Sequence, residues 1–220
     1  MQQFSSLLLG WLFAQYSFYH DTRQFNLGLL MGFNYNQVKI QYKNLLYSTP
    51  TAGRPTMVRV VGVPGLNLGI IANKKLHKYF DLRTIPQVSL QQRNIFIELP
   101  DSSVKRRLES AYLYFPILLK YKSQFYKGIR VYMMAGMQFG LNLTSDRRMR
   151  DNPELIRMQR WDWQWVAGVG VDIYLERVKL TPEISYSLGW RNVYDPTGMR
   201  YGYVIESIRN QTIYGNIQIE

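Results

Sequence analysis

Residues suited to acid–base chemistry are few and lie far apart in the chain. There are two histidines, His20 and His77, and no cysteine, so disulfides and the usual thiolate metal sites are excluded. His20 precedes the first predicted strand, and His77 lies in a predicted turn at the end opposite to the long loops. Neither histidine could act as the base at a serine or aspartate site among those loops. The residues therefore predict no enzymatic activity.

Carboxylates that could hold a cation are concentrated in one predicted loop, at Asp146, Asp151 and Glu154. We expect the neighbouring arginines to neutralise them, and their spacing matches no specific metal-binding pattern. The sequence therefore predicts no metal and no cofactor. The arginines could instead hold the phosphates of lipopolysaccharide, or remain solvated near the head groups. They are Arg147, Arg148, Arg150, Arg157 and Arg160.

The elements that position these residues are indicated by an alternation of side-chain character. From Trp161 to Leu188 the chain alternates with period two, which is typical of strands. Two strands of about ten residues, joined at Glu176-Arg177, are long enough to cross a bilayer when tilted. A soluble barrel with its apolar face turned inward around a lipid-like ligand would show the same period. The glycines and mixed charges on the second face favour a narrow, self-filled interior, and hence a membrane barrel.

The same pattern predicts eight strands. They cover residues 25–38, 64–73, 79–97, 110–121, 129–143, 161–175, 178–188 and 212–219. The connections alternate between long and short, as in outer-membrane barrels with short periplasmic turns and longer external loops. The predicted fold is therefore all-β, an eight-stranded antiparallel up-and-down transmembrane barrel of the outer-membrane type. It has four longer external loops, and both termini are periplasmic.

Three prolines within the predicted strands oppose a closed barrel, because each removes one ladder hydrogen bond. Bulges at these positions would reconcile them with the fold. The prolines are Pro86, Pro116 and Pro182. The aromatic residues agree with the fold, since they fall near both ends of the predicted strands, where two interfacial girdles would lie.

Five charged residues fall on the predicted interior face. An eight-stranded barrel is just wide enough to be filled by its own side chains, and an unpaired charge in a dry interior costs several kcal/mol. We therefore expect a structural network of ion pairs across strands. Its members are Arg83, Lys120, Asp172, Lys179 and Glu183.

The predicted periplasmic turns carry an excess of positive charge. This rim could dock another envelope protein, or it could simply be attracted to inner-leaflet phospholipid. Its lysines are Lys74, Lys75, Lys78, Lys122 and Lys127.

Composition fits one exported domain. The chain has 220 residues, a formal net charge of +12 and 46% hydrophobic residues, and it contains no apolar run of 18 residues that would indicate a membrane helix. The basic excess is dispersed and no nucleic-acid-binding motif is present, so no nucleic-acid partner is predicted. Residues 1–14 resemble a secretory signal cleaved after Ala14. Residues 15–220 then form a single barrel domain.

Three blocks of sequence resemble a known family. They are FDLRTIPQVSLQQRNI from Phe80 to Ile95, YLYFPILLKYKS from Tyr112 to Ser123, and AGVGVDIYLERVKLTPEISYSLG from Ala167 to Gly189. In order and spacing, over about residues 25 to 220, these blocks resemble the PorT family. Its members are outer-membrane barrels of the type IX secretion system. Glu220 departs from the aromatic end common among outer-membrane barrels.

The resemblance implies a non-enzymatic barrel needed for export and maturation of secreted cargo, and for motility in gliding bacteria. It implies contacts with other envelope proteins, alongside outer-membrane lipid and lipopolysaccharide, and it supplies no catalytic residues. The alternative is a stand-alone small barrel that serves adhesion or envelope integrity through its external loops.

Overall fold

The computed structural model describes residues 24–42, 57–98, 103–144, 160–175, 178–190 and 205–220. The predicted signal segment 1–14 lies outside these ranges. Within them the chain forms nine β-strands. They are β1 (Phe25–Tyr42), β2 (Met57–Lys75), β3 (Phe80–Thr84), β4 (Gln87–Glu98), β5 (Ser103–Lys122), β6 (Ile129–Asn142), β7 (Trp161–Tyr174), β8 (Lys179–Gly189) and β9 (Ile205–Ile219). Among the residues placed by the structure, no helix reaches the length and hydropathy needed to cross a membrane.

The strands close into a ring in which every neighbour is antiparallel. Each strand except β3 pairs with the next along the chain, and β9 pairs with β1 to close the ring. The short β3 and the longer β4 lie end to end between β2 and β5, so nine strands fill eight positions. The predicted all-β, eight-stranded up-and-down barrel is confirmed.

The register of the ring fixes its tilt. A path that steps from each residue to its partner on the next strand starts at residue 25 of β1 and returns to β1 at residue 35, ten residues further on. The path is Phe25, Lys74, Leu82, Leu119, Ala135, Ala167, Tyr186, Ile213 and Tyr35. With standard strand spacings, a stagger of ten over eight strands corresponds to a tilt of about 40°, within the range of closed barrels.

The two faces of the wall are oriented as the alternation predicts. In β7, Trp163, Trp165 and Val169 are exposed, whereas Gln164 and Asp172 are buried. The same division holds in β6 and β8. The apolar side chains therefore face outward and the polar side chains fill the interior.

The predicted third strand, 79–97, is interrupted at Pro86. The N–H of Ile70 donates to the Pro86 carbonyl at 3.0 Å, but proline has no N–H to return the bond. The register on either side is unchanged, since Ala72 pairs with Thr84 and Gly69 pairs with Gln87. Pro86 therefore does not lie in a bulge, and the barrel tolerates the missing bond instead.

The other two strand prolines do not lie in bulges either. Pro116 pairs with Gln138 and Pro182 pairs with Ile217, both without a shift in register. A bulge lies instead at Pro64-Gly65, where the β2–β4 register shifts between Val63 and Leu66.

Three strand pairs continue beyond the positions predicted for them: β1–β9, β2–β4 and β4–β5. Segments 57–63 of β2, 92–98 of β4 and 103–110 of β5 form an antiparallel sheet past the last β1–β2 pair, Tyr35 with Pro64. We call it the sheet extension. The connection predicted as a polar loop from Pro100 to Glu109 is thereby shortened to residues 99–102. We call this end of the barrel the loop end, and the end with the connections 76–79, 123–128 and 175–178 the turn end.

Candidate functional site: the filled interior and its two rims

The side chains inside the barrel near the turn end form a network of ion pairs. Lys120 Nζ donates to both oxygens of Asp172, at 2.9 and 2.7 Å, and its ammonium lies 3.6 Å from the centroid of the Tyr132 ring. The Thr181 hydroxyl also donates to Asp172, at 2.9 Å. The pair is almost completely shielded from solvent, so every contact acts in a medium of low polarity.

Arg83 is the second centre of the network. Its guanidinium lies 3.4 Å from Glu183 and 3.0 Å from Glu220, and it donates to Gln218 at 2.8 Å. The Tyr132 hydroxyl donates to Glu183 at 2.6 Å. Each carboxylate therefore accepts several charge-assisted bonds, as a buried charge requires.

All five of the predicted interior charges lie in this network, and the structure adds members that sequence reasoning missed. Glu220 forms ion pairs with both Arg83 and Lys179, although its position at the end of the chain gave no sign of a buried role. The signal that could have found it is the period of β9, in which Asn216, Gln218 and residue 220 share the inward face.

The prediction that Lys122 lies on the exposed rim is wrong. It is the last residue of β5, it is buried, and its ammonium lies 2.7 Å from Asp81. Its even-numbered position in β5 continues the inward series of Leu118 and Lys120, so the alternation carried one step further would have placed it inside.

A cluster of buried apolar side chains crosses the interior beside the ion pairs. Its members are Leu30, Ile71, Ile85, Leu118, Tyr132, Met134 and Val166. Because these side chains come from five strands and from the break between β3 and β4, they pack against one another across the interior. The interior is thus filled like a protein core at this level rather than lined like an aqueous channel.

The interior near the loop end is polar and hydrogen-bonded. Asn34 Nδ2 donates to Asn67 at 2.6 Å, and Gln138 donates to Gln164 at 3.0 Å. Near the same end, the rings of Tyr112 and Tyr114 stack with their centroids 5.4 Å apart, and both are buried. Two charged side chains are buried here as well, since Asp162 accepts from Gln164 at 2.6 Å and Arg93 donates to Gln91 at 3.0 Å.

The other predicted rim lysines lie at the surface of the turn end. Lys74, Lys78 and Lys127 are exposed, and Lys75 is half-buried. Two of them stand over aromatic rings, since Lys78 Nζ lies 5.3 Å from the Tyr79 centroid and Lys127 Nζ lies 5.3 Å from that of Tyr126. The rim is therefore a set of cations mixed with exposed aromatic rings.

The predicted lipopolysaccharide-facing arginines are only partly described. Arg147, Arg148, Arg150 and Arg157 lie outside the described residues, as do Asp146, Asp151, Glu154 and His20. Arg160 is exposed, and its carbonyl accepts from the Asn142 N–H at 2.8 Å. His77 is exposed in its turn. The described part of the chain holds no group of three or more side chains suited to a metal ion.

Exposed aromatic residues mark both ends of the wall. Phe25, Phe80 and Tyr121 lie at the turn end, and Trp163 and Trp190 at the loop end. Phe80 and Tyr121 are in contact, with ring centroids 5.2 Å apart. A band of exposed apolar side chains between two aromatic girdles is the surface of a transmembrane barrel.

Comparison with known protein families also indicates an outer-membrane barrel. The profile of the outer membrane protein beta-barrel domain family matches residues 13–195. The chain belongs to this family. Its barrel is accordingly an outer-membrane barrel, with the apolar wall in the hydrocarbon. No curated protein matches the sequence.

A solved outer-membrane barrel shares the fold. The crystal structure of OprG from Pseudomonas aeruginosa is similar with a TM-score of 0.51 and 10% identity, and the match covers 88% of this chain and 93% of OprG. Neisserial surface protein A matches with a TM-score of 0.44 and 9% identity, over 90% of this chain and 99% of that protein. At this identity, the likeness to OprG shows the fold alone.

Proposed function

We propose that this outer-membrane barrel is a non-enzymatic component of a type IX secretion system, needed for export and maturation of secreted cargo. In gliding species it would serve motility as well. The three sequence blocks that resemble PorT support the assignment to secretion. The observation that supports a role for the surfaces of the barrel is its filled interior. Ion pairs and a packed apolar cluster leave no passage for cargo, so the barrel acts through its surfaces.

The proposed orientation places the turn end in the periplasm and the loop end outside the cell. The lengths of the connections support it, because outer-membrane barrels have short periplasmic turns. The end of β9 lies at the turn end, where the Lys179 N–H donates to the Glu220 carbonyl at 2.8 Å. In this orientation both termini and the rim lysines face the periplasm, where secretion machinery can contact them.

The docking surface in this proposal is the rim formed by Lys74, Lys75, Lys78 and Lys127. Its positive charge suits an acidic patch on another envelope protein, since complementary charges raise the association rate and select partners. Lys122 is not a member, because it is buried against Asp81. The competing role for the rim is attraction to the phosphates of inner-leaflet phospholipid.

The proposal is tested by deleting the chain from its native cell and measuring cargo in the medium and in the periplasm. Cargo that accumulates uncleaved in the periplasm, together with recovery of envelope proteins on the solubilised barrel, is the expected result. Normal secretion, with a barrel that purifies alone and a cell surface that loses adhesion or integrity, would favour the stand-alone role. Other outer-membrane barrels should insert normally in the deletion strain, which controls for a general defect.

A further inference from the structure

The outward face of β5 changes from apolar to charged along one strand. Phe115 and Ile117 are exposed on the wall, and Arg107 and Lys105 are exposed further along the same face. These residues share a face because side chains in a strand alternate with period two. The cations therefore stand directly above the lipid-facing surface, on the sheet extension, and do not face the interior.

The height of these cations follows from the tilt. Arg107 is fourteen residues from Tyr121, the aromatic residue at the turn end of β5. At about 3.3 Å per residue and a tilt of about 40°, this is a rise of roughly 35 Å. The apolar band of an outer-membrane barrel is about 25 Å tall. Arg107 therefore lies roughly 10 Å beyond the hydrocarbon, within reach of the head groups for a long side chain that extends along the wall.

The two cations border a pocket of about 410 Å³, which is lined by Val63, Asn94, Lys105 and Arg107. The pairing of β4 with β5 sets them side by side, since Phe96 pairs with Lys105 and Asn94 pairs with Arg107. Lys105 Nζ lies 5.6 Å from the centroid of the Phe96 ring. The pocket thus combines two cations, an amide and an apolar wall.

Contacts with neighbours hold the Arg107 guanidinium in place. It donates to Gln92 Oε1 at 2.7 Å, and its Nε lies 3.3 Å from Glu109. Lys105 has no carboxylate within 4.0 Å among the described residues. One positive charge in the pocket therefore lacks a counter-ion on the described part of the chain.

We propose that this pocket binds a phosphate group of lipopolysaccharide, the phosphorylated glycolipid of the outer leaflet. Arginine suits phosphate because its planar fork offers parallel donors, and lysine adds a compact positive charge. The choice of lipid over an acidic protein follows from position, since the pocket continues the lipid-facing wall at head-group height. The choice of outer-leaflet lipid rests on the proposed orientation of the loop end. Lys105 and Arg107 are not among the arginines of the predicted loop Thr144 to Arg160.

The test measures binding of lipid A, the phosphorylated anchor of lipopolysaccharide, to the purified full-length barrel in non-ionic detergent by mass spectrometry of the intact complex. The variant is the double substitution Lys105→Gln and Arg107→Gln. The matched control is Lys74→Gln with Lys127→Gln, which removes two exposed cations at the turn end. Heat-dependent migration on gels verifies that each variant is folded.

We expect the pocket variant to bind bis-phosphorylated lipid A about tenfold more weakly, which corresponds to roughly 1.4 kcal/mol. The control should bind as the parent does, and removal of both phosphates from lipid A should abolish the difference between parent and pocket variant. Equal binding by parent and pocket variant, or an equal loss in the control, would overturn the site. Binding of inorganic phosphate or phosphatidylglycerol as tight as that of lipid A would overturn the assignment to the outer-leaflet lipid.

Discussion

Both carboxylate oxygens of Asp172 accept hydrogen bonds from Lys120, at 2.9 and 2.7 Å, inside a barrel that shields the two groups from solvent. The residues lie on different strands, β7 and β5, with β6 between them, so the pair ties the wall together across the interior. Such a pair offsets the cost of burying two charges only because both are present. The contribution of this pair to the free energy of unfolding is therefore tested by removing one partner and then both.

Replacing Lys120 with methionine should destabilise the barrel by about 3 to 5 kcal/mol, because Asp172 is left buried without its cation. The double variant Lys120→Met with Asp172→Asn should cost less than the single change, since no uncompensated charge remains. Unfolding by urea in lipid vesicles, followed by tryptophan fluorescence, measures both. A double-mutant cycle with zero coupling would contradict the pairing.

Two glycines that are neighbours in space should respond in opposite ways to alanine. A Cβ on Gly32 would lie 2.5 Å from the Gly215 carbonyl oxygen and 2.2 Å from Asn216, whereas a Cβ on Gly215 meets nothing within 4 Å. Gly32→Ala should therefore cost about 1 to 3 kcal/mol through overpacking. Gly215→Ala should be neutral or stabilising by up to about 1 kcal/mol, since glycine weakens a strand. The same urea titration measures both changes in the free energy of unfolding. Equal effects at the two positions would show that the interior is less closely packed than the contacts indicate.

Lysine on the outward face should be costly in proportion to its depth. Val169 is exposed five residues from the turn end of β7, near mid-height of the wall, so Val169→Lys should cost about 2 to 4 kcal/mol. Val178, exposed beside the turn, lies near the interface, where Val178→Lys should cost about 0 to 1 kcal/mol. Equal costs, measured by unfolding in vesicles, would show that Val169 does not lie at the centre of the bilayer.

Substitutions of polar residues on the inner face should also destabilise the barrel. Gln138 is buried and donates to Gln164 at 3.0 Å and to Tyr214 at 3.3 Å. Gln138→Lys should therefore destabilise the barrel as well, because the longer charged side chain must displace a packed network. A change in the free energy of unfolding below about 0.5 kcal/mol would instead indicate a wet, loosely filled interior.

The orientation of the two faces could be predicted from the sequence because it depends only on period two. Val169 and Asp172 lie on opposite faces in β7, as the alternation required, and the network around Arg83 follows from the narrowness of an eight-stranded ring. The partner of each charge could not be predicted, since register decides it. Arg83 reaches Glu220 because β9 returns beside β1, and no local pattern encodes that closure.

The predictions that the structure corrects failed where polar or charged residues suggested a loop although the backbone forms a strand. The charged run at Lys105 and Arg107 was interpreted as a loop, although its backbone pairs with β4 as strand. The sequence left open whether Pro86 lies in a bulge, and the structure shows that β3 and β4 keep one register there and lose only a hydrogen bond. Lys122 was assigned to a turn because its neighbours are polar, whereas Asp81 in the adjacent strand gives it a buried partner.

The central claim is that a filled barrel serves secretion from its periplasmic rim. Substitution of Lys74, Lys78 and Lys127 with glutamate reverses the exposed charge of this rim without touching the interior network. We expect the triple variant to insert and remain heat-modifiable, because all three side chains are exposed. Docking of an acidic partner should fail, since like charges then face each other.

The measurement that tests this claim most directly is the amount of mature cargo in the medium of cells that carry only the variant barrel. The control reverses Arg209, an exposed cation at the loop end that lies outside the lipid A pocket. The account predicts that the rim variant stops secretion and that the control secretes normally. Normal secretion by the rim variant, with secretion lost when residues 144–160 are shortened, would place the docking surface outside the cell and contradict it.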